Sequence, residues 1–562
     1  MIKRSESIPA STSSDSQSDR APRKRHKRRL KSRGLRKRNL MLEGLEQRQM
    51  LAGDALSSIV SAALNKYPEP RNLGTVPAFT VVETEAFDAR GQNDSFATAQ
   101  VLPLGNGPGQ RNTIDLTGNT NVQIMPQTGL IQTDLDFYAV DLKAGDIFDI
   151  AVTGSVNNIT VYDENGRLWF NTDVNNGEFG YTLNSPLQTF GNAAAAQVVP
   201  EDGRYYFIAA PSDSPGPYTY GLRTYRPVTE SLAVGQKQIL YVDFDGGFYA
   251  ADQFNRSLPT GGIINIPSLQ DSLALLNIDD LDVASTNRLI RQVMQEVQTH
   301  FQSIANNGSN GDFAATGIAG QYGIEIRNSL DHPDPGFNNP LVTRVIVGGT
   351  NADLGPIGGG LLGVAPSGDI GNFNLNEIVL APLDLVLAYS TQFPLSSNAS
   401  VLDAIARTIA VTVSHEAAHS FGIEHTEGNN NVGSLIDGTG PRVPEFDLGV
   451  GPDQIFGTPD DTAIEFVVDR FSSAENYQGT QYVPQSLSWV LSTGQRGGGI
   501  SGRVFNDLNR DGRGNGDLGL AGVTVFADLN GNQIADPSEP TAVTNAAGEF
   551  TLTAAPGTYN II

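Results

Sequence analysis

Cysteine is absent from all 562 residues. Its absence excludes disulfides, thiolate metal sites and thiol nucleophiles together. An exported chain of this make-up needs another staple, and bound calcium is the expected one. No apolar run approaches eighteen residues, so no membrane-spanning helix is expected. Charged residues are sparse at 17%, and basic charge is scarcer still outside the N-terminus. The first 55 residues hold 15 of the 37 Lys and Arg, which leaves the remainder a net charge of −33. Such an acidic body would repel phosphates, so nucleic acid is excluded as its partner. What is plentiful is glycine, 61 residues, and proline, 31, a mix that suits turn-rich β domains. The length calls for three or four such domains.

Histidine is also scarce, and half of the six histidines fall within residues 415–425, HEAAHSFGIEH. His415 and His419 stand four apart, which on a helix puts both rings over one point. Glu416 adjoins the first histidine, where a carboxylate can deprotonate a water bound to the metal. Gly422 follows where the helix must end in a sharp turn, and that turn returns His425 as a third ligand. The order H-E-x-x-H-x-x-G-x-x-H is matched at every fixed position and resembles the metzincin zinc peptidases. The resemblance implies one catalytic zinc on His415, His419 and His425, a zinc-activated water, and Glu416 as general base and then acid. Within that group the matrixin-like members are the most similar: GGGLLGVAPSGDIGNFNLNEIVLAP (358–382) carries Gly368, Asp369 and Phe373 in their order, without histidines for a structural zinc. One departure stands out. No methionine follows Met294, and SLIDGTG (434–440) places Ile436 where the family has its Met-turn methionine. An apolar substitute is expected to keep zinc with altered packing beneath it.

Along the chain, residues 1–64 begin with a basic run, RKRHKRRLKSRGLRKR, and continue through Leu45-Glu46-Gln47-Arg48-Gln49-Met50-Leu51-Ala52. The run alone reads as a disordered cationic arm; with the segment after it, it resembles the sorting signal of exported planctomycete proteins. Residues 65–84 read as a linker. Residues 85–226 alternate in short runs such as FYAVDL, FDIAVTG and YYFIAA, the pattern of a β-sandwich. With NDSFATAQ and PEDGRYYFIAA they resemble the bacterial pre-peptidase C-terminal domain, an accessory module of secreted peptidases. Residues 231–490 run strand, helix, three strands, helix, the order of an α/β zincin domain. There the motif helix should start near Ser400, TRVIVGG (343–349) reads as an edge strand for an extended substrate although a plain core strand would look the same, and NEIVLAPLDLVLA reads as strand. Residues 499–562 resemble the SD-repeat, Cna-type B module of immunoglobulin-like fold, and Ile562 falls inside what reads as a last strand, which would leave that module truncated. The expected fold class is thus multidomain: an α/β zincin flanked by two β-sandwiches.

The last module carries the calcium candidates. Asp507, Asn509 and Asp511 before Gly512 follow the start of an EF-hand-type loop, but Leu518 stands where glutamate is required, so Asn515 or Asp517 must complete it. Asp528, Asn530, Asn532, Asp536 and Glu539 match loop positions 1, 3, 5, 9 and 12, with Gln533 for the usual glycine. An Asx-rich turn would look similar, and GPDQIFGTPDD (451–461) is open to the same two readings. Two functions follow: a secreted zinc endopeptidase acting on a protein or peptide, or a calcium-stabilised surface or matrix adhesin whose zincin domain is silent. The β modules suit surface attachment under both, and without cysteine any latency must come from residues 65–226 covering the cleft.

Overall fold

The computed structural model describes residues 78–562 apart from 86–91, 105–111, 125–130, 176–180, 183–184, 212–213, 233–235, 255–261, 279–280, 308–319, 338, 358–360, 392, 439–447, 497, 508–517, 529–530, 537–538 and 555–559. The chain is multidomain and mostly β, with several sheets and few helices. The export-type segment at 1–64 lies outside the described residues. Among those that are described, no helix is long and apolar enough to cross a membrane.

Alternating burial along strands such as Gly203–Ala209 builds a two-sheet sandwich at the N-terminal end. One sheet runs Ala78–Val82, Thr113–Thr120, Gly216–Tyr225, Ile147–Gly154 and Ala193–Val198. Ala78–Val82 pairs in parallel with Thr113–Thr120, so the stretch read as linker supplies a strand. The facing sheet runs from Gln100–Val101 through Asp136–Leu142, Gly203–Ala209 and Ile159–Tyr162 to Leu168–Thr172, and does not stop there. Tyr477–Tyr482 pairs antiparallel with Leu168–Thr172, and Val468–Arg470 continues beyond it. A strand more than two hundred residues away thus completes the sandwich.

The central body has a parallel sheet in the order Ile324–Asn328, Gln238–Asp243, Val342–Val347, Ile378–Ala381. Val342–Val347 is fully buried between two neighbours, which corrects its reading as an edge strand. The outer side of Ile378–Ala381 instead meets Val364, antiparallel through Leu380. Pro382 ends that strand, and Leu383–Ser390 is a helix where strand was expected; a short, mostly apolar run does not distinguish the two. The long helix Val283–Asn307 packs along the motif helix Val401–His419, with the Phe301 ring edge-on to Phe421 at 6.2 Å. Sandwich and central body share one core: Ile147, Ala196, Val198 and Tyr225 cluster with Phe373, Phe421 and Trp489. The described residues of 498–562 form small antiparallel strand pairs with a separate core around Ala527 and Leu552.

Candidate metal centre

The motif helix starts where a capping box fixes it. Ser400 Oγ accepts the Asp403 N–H, and the Asp403 carboxylate accepts the Ser400 N–H. Nineteen residues later it stops at His419, and Gly422 turns the chain with φ +83°. A Cβ at Gly422 would fall on the Ile370 backbone, so the turn needs glycine for both its dihedral and its close approach. That contact comes from the Gly368–Phe373 segment. Asp369 is buried, accepts the Phe373 and Asn374 N–H groups, and donates its own N–H to the His419 carbonyl. The segment clamps the C-terminal end of the helix.

The turn brings His425 to the other two histidines. The three Nε2 atoms stand 3.1, 3.1 and 3.2 Å from one another. Each opposite nitrogen faces an oxygen. His415 Nδ1 lies 2.8 Å from the Leu435 carbonyl, His419 Nδ1 2.7 Å from the Ile423 carbonyl, and His425 Nδ1 2.5 Å from Glu475 Oε1. A carbonyl or carboxylate oxygen can only accept, so every Nδ1 carries the proton and every Nε2 turns a lone pair inward. Burial, with the neighbouring imidazoles, holds His415 well below the ordinary 6.5 and His419 down to about 3. Three lone pairs at this spacing repel each other unless a cation sits among them. Ligands at zinc–nitrogen distance in a tetrahedron lie about 3.3 Å apart, so the donor set fits zinc within a few tenths of an ångström.

Glu416 is buried beside this triangle, under the segment Leu361–Ala365. Burial pushes its carboxyl up to about 8, against the opposing pull of His425 and a hydrogen bond from the Ala365 backbone. Gly363 passes so close that a side chain there would strike the Glu416 carboxylate. Ile436 is fully buried in the turn Ser434–Asp437 and belongs to the shared core. Its carbonyl accepts the Thr426 N–H, and the preceding Leu435 carbonyl is the one that orients His415. The turn therefore lies against the histidines, with isoleucine at its centre.

Glu475 was not legible in the sequence as part of this site. It lies fifty residues beyond His425, and Glu-Asn-Tyr has no motif to mark it. Its carboxylate is held below the ordinary range: burial opposes this, and the hydrogen bond and charge of His425 outweigh it. Glu424 is instead pushed up to about 8 by burial with Glu475 nearby, and it accepts a hydrogen bond from sandwich residue Gln197 at 2.7 Å.

The calcium candidates are placed less closely. Asn509, Asp511, Asn515, Asp517 and Asn530 lie outside the described residues. Asp507 follows the short strand Phe505–Asn506. Asp528 is buried, and its two oxygens accept the Gly531 and Gln533 N–H groups. Asn532 donates to Asp536, and Glu539 accepts the Asp536 N–H, so these residues fasten an Asx-type turn. Asp453, Asp460 and Asp461 do the same for their loop, where Asp461 accepts the Gly457 N–H and Asp460 accepts from Thr458. Among the described residues a second acidic grouping, Glu85, Asp94 and Asp134, has ligand-type atoms within 4.8 Å of one another. The histidine triad is the other such grouping.

No family model and no curated protein matches the chain. Among solved structures it is similar to PliG of Aeromonas hydrophila, a periplasmic lysozyme inhibitor of g-type lysozyme, at 14% identity and a TM-score of 0.13. That similarity covers 27% of this chain and 99% of PliG.

Proposed function

We propose that the chain is a secreted, zinc-dependent metalloendopeptidase of metzincin type. One observation carries the reading: three imidazoles, each fixed by an acceptor on Nδ1, turn three Nε2 lone pairs to one point beside a buried carboxylate. Histidines that merely filled a core would spend their ring nitrogens on separate partners. Acceptors behind each ring are the arrangement that metal-ligating histidines need, because they fix both tautomer and orientation. Zinc held by His415, His419 and His425 supplies Lewis acidity there.

The chain's own groups do the rest. Glu416, buried beside the three histidines, takes a proton as a carboxylate from the attacking water and returns it to the leaving amine. The Leu361–Ala365 backbone, antiparallel to the edge strand and directly over Glu416, is the natural rail for an extended peptide. The acidic, cysteine-free body and the sorting-type segment support export. Calcium remains a proposed structural ion of the C-terminal module.

Casein or gelatin cleavage by purified protein, with and without chelator, tests the reading beside Glu416→Ala. Wild type should carry one zinc and lose activity to chelator, while Glu416→Ala keeps zinc and loses at least about a hundredfold in rate. A protein that neither co-purifies with nor rebinds zinc would instead be the silent adhesin.

A further inference from the structure

The sequence casts the sandwich as an accessory, yet its second sheet reaches the metal centre. Tyr477–Tyr482 pairs with sandwich strand Leu168–Thr172 through Tyr477 with Thr172, Gln478 with Asn171 and Gly479 with Phe170. Tyr477 is buried in the sandwich core, its ring 4.7 Å from Phe471 and 6.4 Å from Phe170. Two residues upstream stands Glu475, whose Oε1 lies 2.5 Å from His425 Nδ1. The residue between, Asn476, takes a left-handed turn at φ 58°. Ser472 donates its N–H to the His425 carbonyl, and Ser473 donates its N–H and hydroxyl to Glu427. The segment carrying Glu475 is therefore pinned to the His425 loop on one side and to the sandwich on the other.

We infer that Glu475 is a positioning residue for His425, and that the sandwich is a permanent part of the metal centre because it holds the strand that places Glu475. The inference rests on the metallopeptidase reading above. Leu435 and Ile423 orient the other two histidines from within the central body. His425 alone is oriented by a charged side chain, and that side chain is anchored through a sheet shared with the sandwich. A carboxylate on Nδ1 fixes the tautomer and raises the basicity of Nε2, and loss of such a partner weakens metal binding about 10- to 100-fold. Gly479 offers a way to disturb the shared sheet without touching the site. Its φ is +111°, and a Cβ there would fall on the Trp169 carbonyl, so Gly479→Ala pushes the two strands apart.

The test uses the full chain and two readouts: zinc affinity by chelator competition, and the visible absorption of the cobalt-substituted protein. Glu475→Ala should bind zinc about 10- to 100-fold more weakly and shift the cobalt bands, with Glu475→Gln in between because it keeps an acceptor without charge. Gly479→Ala should weaken zinc in the same direction. Adding it to Glu475→Ala should cost little more, since both act through one contact. Phe170→Leu, a milder loosening from the sandwich side, serves if Gly479→Ala does not fold. Wild type that holds one zinc while Glu475→Ala binds within twofold of it overturns the positioning role. Gly479→Ala and Phe170→Leu variants with wild-type zinc affinity, or losses that multiply in the double variant, overturn the role of the sandwich. Wild type that takes up no zinc overturns the metallopeptidase reading and this inference with it.

Discussion

On the proposed metallopeptidase reading, Gly363→Ala should separate catalysis from metal binding. A Cβ on Gly363 would stand 2.0 Å from Glu416 Oε1 and 2.3 Å from its Cδ and Cγ. Side-chain carbons do not approach within 3 Å of a neighbour, so one partner must give way by about 1 Å, and a misplacement of that size costs about a hundredfold in rate. Glu416 is the mobile partner, because Val364 is tied to Leu380 by two backbone hydrogen bonds of 2.8 and 3.0 Å. The three atoms nearest the added methyl all belong to Glu416, so the strain falls on that side chain first and the triad is expected to keep its geometry. The expected outcome is one zinc per chain with wild-type affinity, and a kcat/KM on a fluorogenic peptide lowered about a hundredfold. Backbone strain adds nothing here, because Gly363 is not among the glycines with positive φ. A variant that turns over within about threefold of wild type at full zinc occupancy would refute the reasoning, since Glu416 could then not be the proton carrier in its observed place.

Two further perturbations follow from the core around the site. Ile436→Met changes shape at nearly constant volume and should cost under about 1.5 kcal/mol, whereas Ile436→Ala should cost about 2–5 kcal/mol in urea unfolding with zinc still bound at the histidines. His300 is buried on the long helix, its Nδ1 2.9 Å from Ser414 Oγ, and burial with the Arg407 guanidinium nearby holds it down to about 3 from an ordinary 6.5. Above pH 6.5 it is neutral folded or unfolded; as the pH falls from 6.5 towards 3 the unfolded chain takes up a proton the native state refuses, and stability drops. At pH 5 that is about 2 kcal/mol. Unfolding at pH 5 and 7.5 should therefore show a smaller fall in His300→Gln by about that amount; an equal fall in both proteins would sink the assignment.

The parts of the site that could be read in the sequence are those whose chemistry is local. His415, Glu416 and His419 are placed by one helical turn, and Gly422 by a dihedral that few other residues adopt. The capping box at Ser400 and Asp403 is equally local, and the helix began where it was expected. The turn Ser434–Asp437 follows the motif closely in sequence and returns to it where the Thr426 N–H donates to the Ile436 carbonyl. The helix Leu383–Ser390 was misread because a run of eight mostly apolar residues carries no period to tell helix from strand.

What failed was non-local. Burial patterning says that a strand has an inward face, and it does not say which strand will lie beside it. Tyr477–Tyr482 lies within the stretch, residues 231–490, that the sequence assigns to the α/β body. It pairs instead with Leu168–Thr172, and that choice is made by the fit of Gly479 against the Trp169 carbonyl and of Tyr477 against Phe170 and Phe471. The same pairing hid Glu475, because a residue becomes a partner of His425 only once its strand is placed. Across the expected boundary between residues 226 and 231, Ile147, Val198 and Tyr225 bury themselves against Phe373 and Trp489 in one core. A module joined to its neighbour by a shared sheet, a shared core and the hydrogen bond of His425 to Glu475 cannot leave without opening all three. The sandwich should therefore stay with the central body that carries the histidines.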